Sequence, residues 1–218
     1  MKIRIDDIIV GRNFRDSIEI DDLKESIEMV VVGIDPGLRG ALIGLDAGGK
    51  ALFRTCMPTI GNVVDLTHVA LLLCDAVKES NGPLVVFLEE VHARPGMSLK
   101  SITTFLRGFG GVEGVVVALG IPLTLVRPQI WQRPFHAGLS NLVTDSKASA
   151  SKQAKMKSLI AAKRLYPGEP LVPDTEPNKA KVHDGVVDAL LIATYGVLKI
   201  ANSTIRLWDI DLHKRTSI

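Results

Sequence analysis

Eight consecutive residues, Val30-Val31-Val32-Gly33-Ile34-Asp35-Pro36-Gly37, constrain this chain more than any other stretch. Three β-branched residues followed by Ile34 make a continuous apolar run, the pattern of a strand buried on both faces. Asp35 ends the run, and Pro36 with Gly37 forces the chain to turn. An acid at the end of a core strand is costly to bury unless its charge is offset, as a bound cation or a basic partner would do. The plain alternative is a turn-forming Asp-Pro-Gly without chemistry.

The remaining elements are read outward from that strand. Residues 38–45 predict a second strand, Ala47-Gly48-Gly49 a tight turn and residues 51–56 a third strand, together a three-stranded meander. Residues 63–79 predict an amphipathic helix with Val63, Leu66, Val69, Ala70, Leu73 and Val77 on one face, stopped by Asn81-Gly82-Pro83. The continuously apolar residues 84–88 are a second buried strand, and it runs into Glu89-Glu90. Residues 98–119 predict a helix in spite of Gly108, Gly110, Gly111 and Gly114. Each exposed interior glycine costs about 1 kcal/mol, so the cluster calls for a close contact with another backbone, a break or mobility. A short strand over 122–126 and a helix over 128–136, opened by Pro128, come next. A flexible loop over 138–151, a basic helix over 152–166, a proline-containing loop over 168–181 and a last helix over 182–201 complete the pattern, with a short strand near 205–208. This succession predicts an α/β layered domain with a mixed sheet.

With 218 residues, 46% of them hydrophobic, the chain can build one substantial core plus an appendage, not two full-sized domains. The expected division is an appendage over 1–28, a main domain over 29–202 and a tail over 203–218. Within the appendage, Lys2-Ile3-Arg4-Ile5 alternates like a strand, and Leu23 and Ile27 have helical spacing behind Asp21 and Asp22. The stretch from Ile3-x-Ile5-Asp6-Asp7-Ile8 to Leu23-x-x-Ser26-Ile27 resembles the first strand and helix of the ParB-like partition nuclease fold.

The formal charge of +2 says little, but its distribution says more. Between 127 and 164 stand the eight bases Arg127, Arg133, Lys147, Lys152, Lys155, Lys157, Lys163 and Arg164, with Asp145 the one acid. A one-sign segment fits a polyanion partner; an ordinary solvated helix face is the alternative. Cys56 and Cys74 read as reduced core residues of a cytoplasmic protein. No run of about 18 apolar residues without charge occurs, so neither a membrane span nor a signal peptide is indicated.

Both buried strands end in acids, Asp35 and Glu89. If the strands are parallel neighbours, both carboxylates lie at one sheet edge, where α/β sheets place ligands. Asp184 and Asp188 stand at i and i+4 near the start of the last helix and share a face. Four carboxylates on three elements can therefore converge. Magnesium takes oxygen ligands, and a pair of such ions clamps the attacking and leaving oxygens of a phosphodiester. The alternative is a set of helix caps and turn formers.

Three blocks in order carry a more specific likeness: Gly33-Ile34-Asp35-Pro36-Gly37, Phe87-Leu88-Glu89-Glu90-Val91-His92 and His183-Asp184-Gly185-Val186-Val187-Asp188-Ala189-Leu190. Together with Gly108-Phe109-Gly110-Gly111-Val112-Glu113-Gly114, Pro128-Gln129-x-Trp131 and Lys157-Ser158-x-x-Ala161-Ala162-x-Arg164-Leu165-Tyr166-Pro167, they resemble the RuvC-like Holliday junction resolvases of the phage type. The likeness covers about residues 30 to 200. It implies an RNase H-like three-layer fold with a mixed, mostly five-stranded sheet flanked by helices. It also implies a divalent-metal endonuclease acting on branched DNA (four-way junctions and forks), usually as a homodimer. The cofactor implied is magnesium, or manganese in its place, with two ions per site. Carried over residue by residue, the catalytic and metal-binding acids are Asp35, Glu89, Asp184 and Asp188. Glu90 stands where many relatives carry Gln and is not the expected ligand. Bacterial RuvC has its two final acids three apart, whereas here the position three before Asp188 is Gly185. His183 either supports the metal or the attacking water, or is a surface loop histidine.

Arg94, Lys100 and Arg107 flank the loop and helix after Glu89, and with Lys152, Lys155 and Lys157 they are expected to line a groove for phosphates. Phe105 or Phe109 wedges into exposed bases or, more commonly for Phe, packs in the core. Trp131 is assigned to the core or a subunit contact. The main rival is a non-catalytic DNA-binding or partition-associated protein, which would not need four acids at strand and helix ends. An actin-like ATPase, suggested by Asp35-x-Gly37, needs two such domains and a longer chain.

Overall fold

The computed structural model describes residues 29–80, 82–92, 96–139, 149–177 and 181–215, for 204–215 the backbone alone. The appendage expected over 1–28 lies outside the described residues. The strands are β1 (Val30–Asp35), β2 (Ala41–Asp46), β3 (Ala51–Cys56), the short β4 (Thr59–Ile60) and β5 (Val63–Val64), β6 (Leu84–Glu89) and β7 (Leu123–Val126). The helices are α1 (Leu66–Glu79), α2 (Leu99–Ala118), α3 (Pro128–His136), α4 (Ala150–Leu165) and α5 (Asp184–Arg215).

One five-stranded sheet runs β3-β2-β1-β6-β7. Strands β1, β2 and β3 form the antiparallel meander, with Asp35 opposite Ala41 and Ala41 opposite Cys56. β6 then joins the other side of β1 in parallel, with Ile34 opposite Leu88, and β7 continues in parallel. The sheet is mixed and has helices on both faces, the α/β three-layer arrangement.

The apolar run in β1 divides by alternation. Val31 points into one layer with Ile43, Leu45 and Phe87, under α3, α4 and α5; Val30, Val32 and Ile34 point into the other with Leu42, Val86 and Leu88, under α1 and α2. That is why β1 reads as apolar throughout. Helix α5 lies directly on it: a Cβ on Gly33 would collide with the backbone of Ala189 and Ala193.

Four expectations need correction. Residues 63–64 are not helical but pair with β4 in a two-stranded ribbon, turned by Gly61 at φ 60°. α1 starts only at Leu66, because Asp65 caps it by accepting from the His68 N–H at 3.1 Å. α4 begins at Ala150, capped by Ser149, two residues before the expected start. No strand forms over 205–208: α5 continues to Arg215, since no glycine or proline interrupts residues 197–215.

The glycine-rich helix α2 is unbroken. Gly111 receives the Leu66 side chain and Gly108 lies against Val64, so two of the glycines make room for β5 and the start of α1. Burying Val112 and Val116, both fully enclosed, contributes about 1.5–3 kcal/mol each and offsets the glycine cost. Phe109 is partly buried against the same core layer. Cys56 and Cys74 are not joined in a disulfide, and each is partly buried. Among the described residues no helix is long and apolar enough to cross a membrane.

Candidate active site

Asp35 and Glu89 are the last residues of β1 and β6, each immediately after the paired residues Ile34 and Leu88. The parallel pairing thus sets the two carboxylates side by side at the carboxyl end of the sheet. The Gly37 N–H donates to Asp35 Oδ1 at 3.2 Å, so the Asp-Pro-Gly turn itself supplies a donor. Burial pushes the Asp35 carboxyl above its ordinary pKa; the Gly37 N–H, Lys155 and His183 pull the other way.

The start of α5 brings Asp184 and Asp188 over this edge. Asp184 is the first helical residue and is exposed, while Asp188, one turn on, is partly buried. Burial, and next the negative charge of Asp35, push Asp188 up to about 7; a hydrogen bond from Ser158 and the charge of Lys155 oppose this. Lys155, from α4, donates to Asp184 Oδ2 at 2.8 Å and also feels Asp188 and Asp35. One ammonium therefore serves three carboxylates.

The four-residue spacing has a steric reason. A Cβ on Gly185 would collide with the carbonyl oxygen of Arg39 and the backbone of Gly40, because the α5 start packs against the turn between β1 and β2. Position 185 cannot carry a carboxylate without moving that turn, so the acid stands at 184.

Glu89 Oε2 accepts from the Trp131 indole N–H at 3.0 Å. Trp131 is fully buried, as expected of a core residue, yet it also holds an acid of the site. Glu90 is engaged elsewhere, with Arg127 at 3.0 Å and His92 at 3.4 Å. His183 is half-buried: its Nδ1 accepts from the Val186 N–H at 3.3 Å, which leaves the proton of a neutral ring on Nε2, 3.5 Å from Cys56 Sγ. It packs beside the site rather than standing in open solvent.

Of the residues expected on phosphates, Lys152 and Lys155 lie exposed on α4, with Lys157 partly buried, and Lys100 and Arg107 are exposed on α2. The middle of α2 approaches the Asp35 turn, with Gly108 next to Val64 and near the Pro36 carbonyl. α4 reaches the acids through Lys155. Arg94 lies outside the described residues. Sequence reasoning missed three partners: the donor role of Trp131, the buried Ser158 and His136, whose Nε2 lies 3.1 Å from Ser158 Oγ. A serine set among Ala161 and Ala162 on the buried side of an otherwise basic helix is the one signal that pointed to Ser158.

The donor set suits a hard cation: oxygen ligands only, with more negative charge than Lys155 alone offsets. Among the described residues, however, no three His, Cys, Asp or Glu side chains stand close enough together to enclose a metal ion. The acids line an open edge rather than a finished cage.

An RNase H-like α/β fold with acids at the ends of its two central parallel strands is the class that sheet order and site define. More particularly, the fold is similar to that of RuvC. A structure of T. thermophilus RuvC in complex with a Holliday junction substrate aligns with a TM-score of 0.50 and 16% identity, over 77% of this chain and 91% of that one. A second Thermus thermophilus RuvC structure gives 0.45 and 18%, over 78% and 97%. The yeast mitochondrial Holliday junction resolvase gives 0.44 and 17%, over 88% and 92%. No protein-family model and no curated protein sequence matches the chain.

Proposed function

We propose that this chain is an endonuclease that resolves four-way DNA junctions or related forks by divalent-metal-dependent hydrolysis. The observation that carries the reading is the side-by-side placement of Asp35 and Glu89 on parallel β1 and β6, with Asp184 and Asp188 of α5 over the same edge. A fold shared with a RuvC bound to a junction supports the substrate class.

Asp35, Glu89 and Asp188 would hold magnesium or manganese, two ions per site, with Asp184 completing the set once Lys155 releases it. The metal would supply an activated water and neutralise charge on the phosphate. The chain's own residues do the rest. Trp131 fixes Glu89, the Gly37 N–H fixes Asp35, and Lys155 exchanges a carboxylate for a phosphate oxygen. Lys152 and Lys157 on α4, with Lys100 and Arg107 on α2, hold the backbone of the arms without reading sequence, and Arg94 is expected to add to them. Symmetric resolution needs two cuts and each chain has one such edge, so the working form is a homodimer.

A synthetic four-way junction and a linear duplex of the same sequence, each incubated with magnesium, test this. Paired nicks in the junction alone are expected. Junction binding without cleavage under magnesium or manganese would sink the enzyme and leave the binding-protein reading.

A further inference from the structure

We propose that His136 and Ser158 form a hydrogen-bonded brace that sets the orientation of the Asp188 carboxylate, and so which of its oxygens is left for a cation. This rests on the nuclease reading of the same site.

Ser158 lies on the face of α4 turned toward α5 and is 1% exposed. Its Oγ is 3.1 Å from His136 Nε2, at the end of α3, and its hydroxyl hydrogen-bonds the Asp188 side chain. A polar group enclosed to this degree needs a use for its hydrogen bonds. Here the use has a direction. An ionised carboxylate only accepts, and a serine hydroxyl has one proton to give. With Asp188 ionised, as a metal ligand must be, Ser158 donates to it and cannot also donate to the imidazole. His136 must therefore donate from Nε2. Burial and next the charge of Lys157 lower the pKa of His136, so the ring is neutral and has a single N–H, which this chain of bonds assigns to Nε2. For the ionised carboxylate the sequence of donors is then His136 Nε2–H to Ser158 Oγ, Ser158 O–H to Asp188.

The same helix performs a parallel task five residues earlier, where Trp131 donates to Glu89. Helix α3 thus braces one acid directly and the other through α4. His136 and Ser158 touch neither substrate nor metal in this arrangement and act as positioning residues. Metal ligands are commonly oriented by such outer hydrogen bonds.

The test compares Ser158→Ala and His136→Leu, which break the brace, with His136→Gln, which keeps an amide donor near the Nε2 position. Calorimetric titration with magnesium alone should show affinity weakened about 10–100-fold in the first two and largely kept in the third. Nitrogen chemical shifts of the His136 ring in the magnesium-loaded full chain, where Asp188 is ionised, should report the Nε2-protonated tautomer, and Ser158→Ala should release that preference. Melting curves confirm that each variant is folded. Equal magnesium affinity in the unaltered chain and Ser158→Ala, or an Nδ1-protonated His136 in the magnesium-loaded chain, overturns the brace and leaves the nuclease reading standing. Failure of the unaltered chain to take up magnesium overturns both.

Discussion

Lys155 Nζ lies 2.8 Å from Asp184 Oδ2, so a lysine expected to meet DNA is instead paired with a carboxylate of the site. Both side chains are more than half exposed, 53% and 63%, and the pair contributes only about 0–1 kcal/mol to stability. It is cheap to open, which suits a contact that is to be exchanged for phosphate. Asp184→Asn should therefore tighten metal-free junction binding, by freeing Lys155 and removing a negative charge. Lys155→Met should lower the slope of log affinity against log salt by about 0.9 for duplex arms. Titrations at several salt concentrations measure both; an unchanged slope would mean that Lys155 never leaves Asp184.

Asp35→Asn and Glu89→Gln should abolish cleavage while leaving junction binding intact or tighter. Each removes a charged ligand, and metal stabilisation of several kcal/mol corresponds to at least about a hundredfold in rate. Trp131→Phe, which keeps an aromatic ring but deletes the donor to Glu89, should slow cleavage with the same substrate affinity. Full activity of Asp35→Asn would end the assignment.

The raised carboxyl of Asp188 fixes a pH trend for the metal-free protein. A folded pKa of about 7 against 3.8 means that the folded state binds the proton more tightly, so this group's stabilising effect is complete below about 4 and is lost as pH rises to about 7. His136, with its lowered pKa, acts oppositely and loses stability as pH falls through about 6.5. Asp188→Asn isolates the first effect: in chelator its melting temperature should exceed that of the unaltered chain by a margin that grows from pH 5 to pH 8. Magnesium should close that margin by stabilising only the unaltered chain. A margin independent of pH would show that Asp188 titrates normally.

A chain beginning at Met29 should fold and cut junctions. Residues 1–28 carry Ile3, Ile5, Ile8, Ile9, Val10, Ile18, Ile20, Leu23 and Ile27 as aliphatic packing residues, but a stretch this short cannot enclose a core of its own. Their eight acids against five bases argue against a grip on DNA. Melting temperature, mass in solution and cleavage of the shortened and full chains decide the point. A shortened monomer that no longer cuts would make the appendage part of the nuclease.

Much of this architecture was legible in the residues because it follows from local pattern. The apolar runs before Asp35 and Glu89 could only be buried strands, and each acid had to fall at a strand end. The meander, the placement of the helices and the two strand-end acids follow from periodicity and turn residues, which act over a few positions. The ribbon of β4 and β5 was missed because two-residue strands have no period to read. The long α5 was cut short because a polar, β-branched stretch in its second half suggests an end that no breaker enforces. Only the tertiary structure could decide that Trp131 holds Glu89, that Lys155 turns to Asp184, and that His136 reaches Asp188 through Ser158. It likewise decided that Gly185 is excluded from carrying an acid by the backbone of Arg39 and Gly40. These partners are 22 to 42 positions apart in sequence where single hydrogen bonds join them, and no local pattern encodes which side chains meet across packed helices and strands. Local sequence sets which groups stand at the edge of the sheet; the packing of α3, α4 and α5 on that edge sets which of them touch, and with what charge.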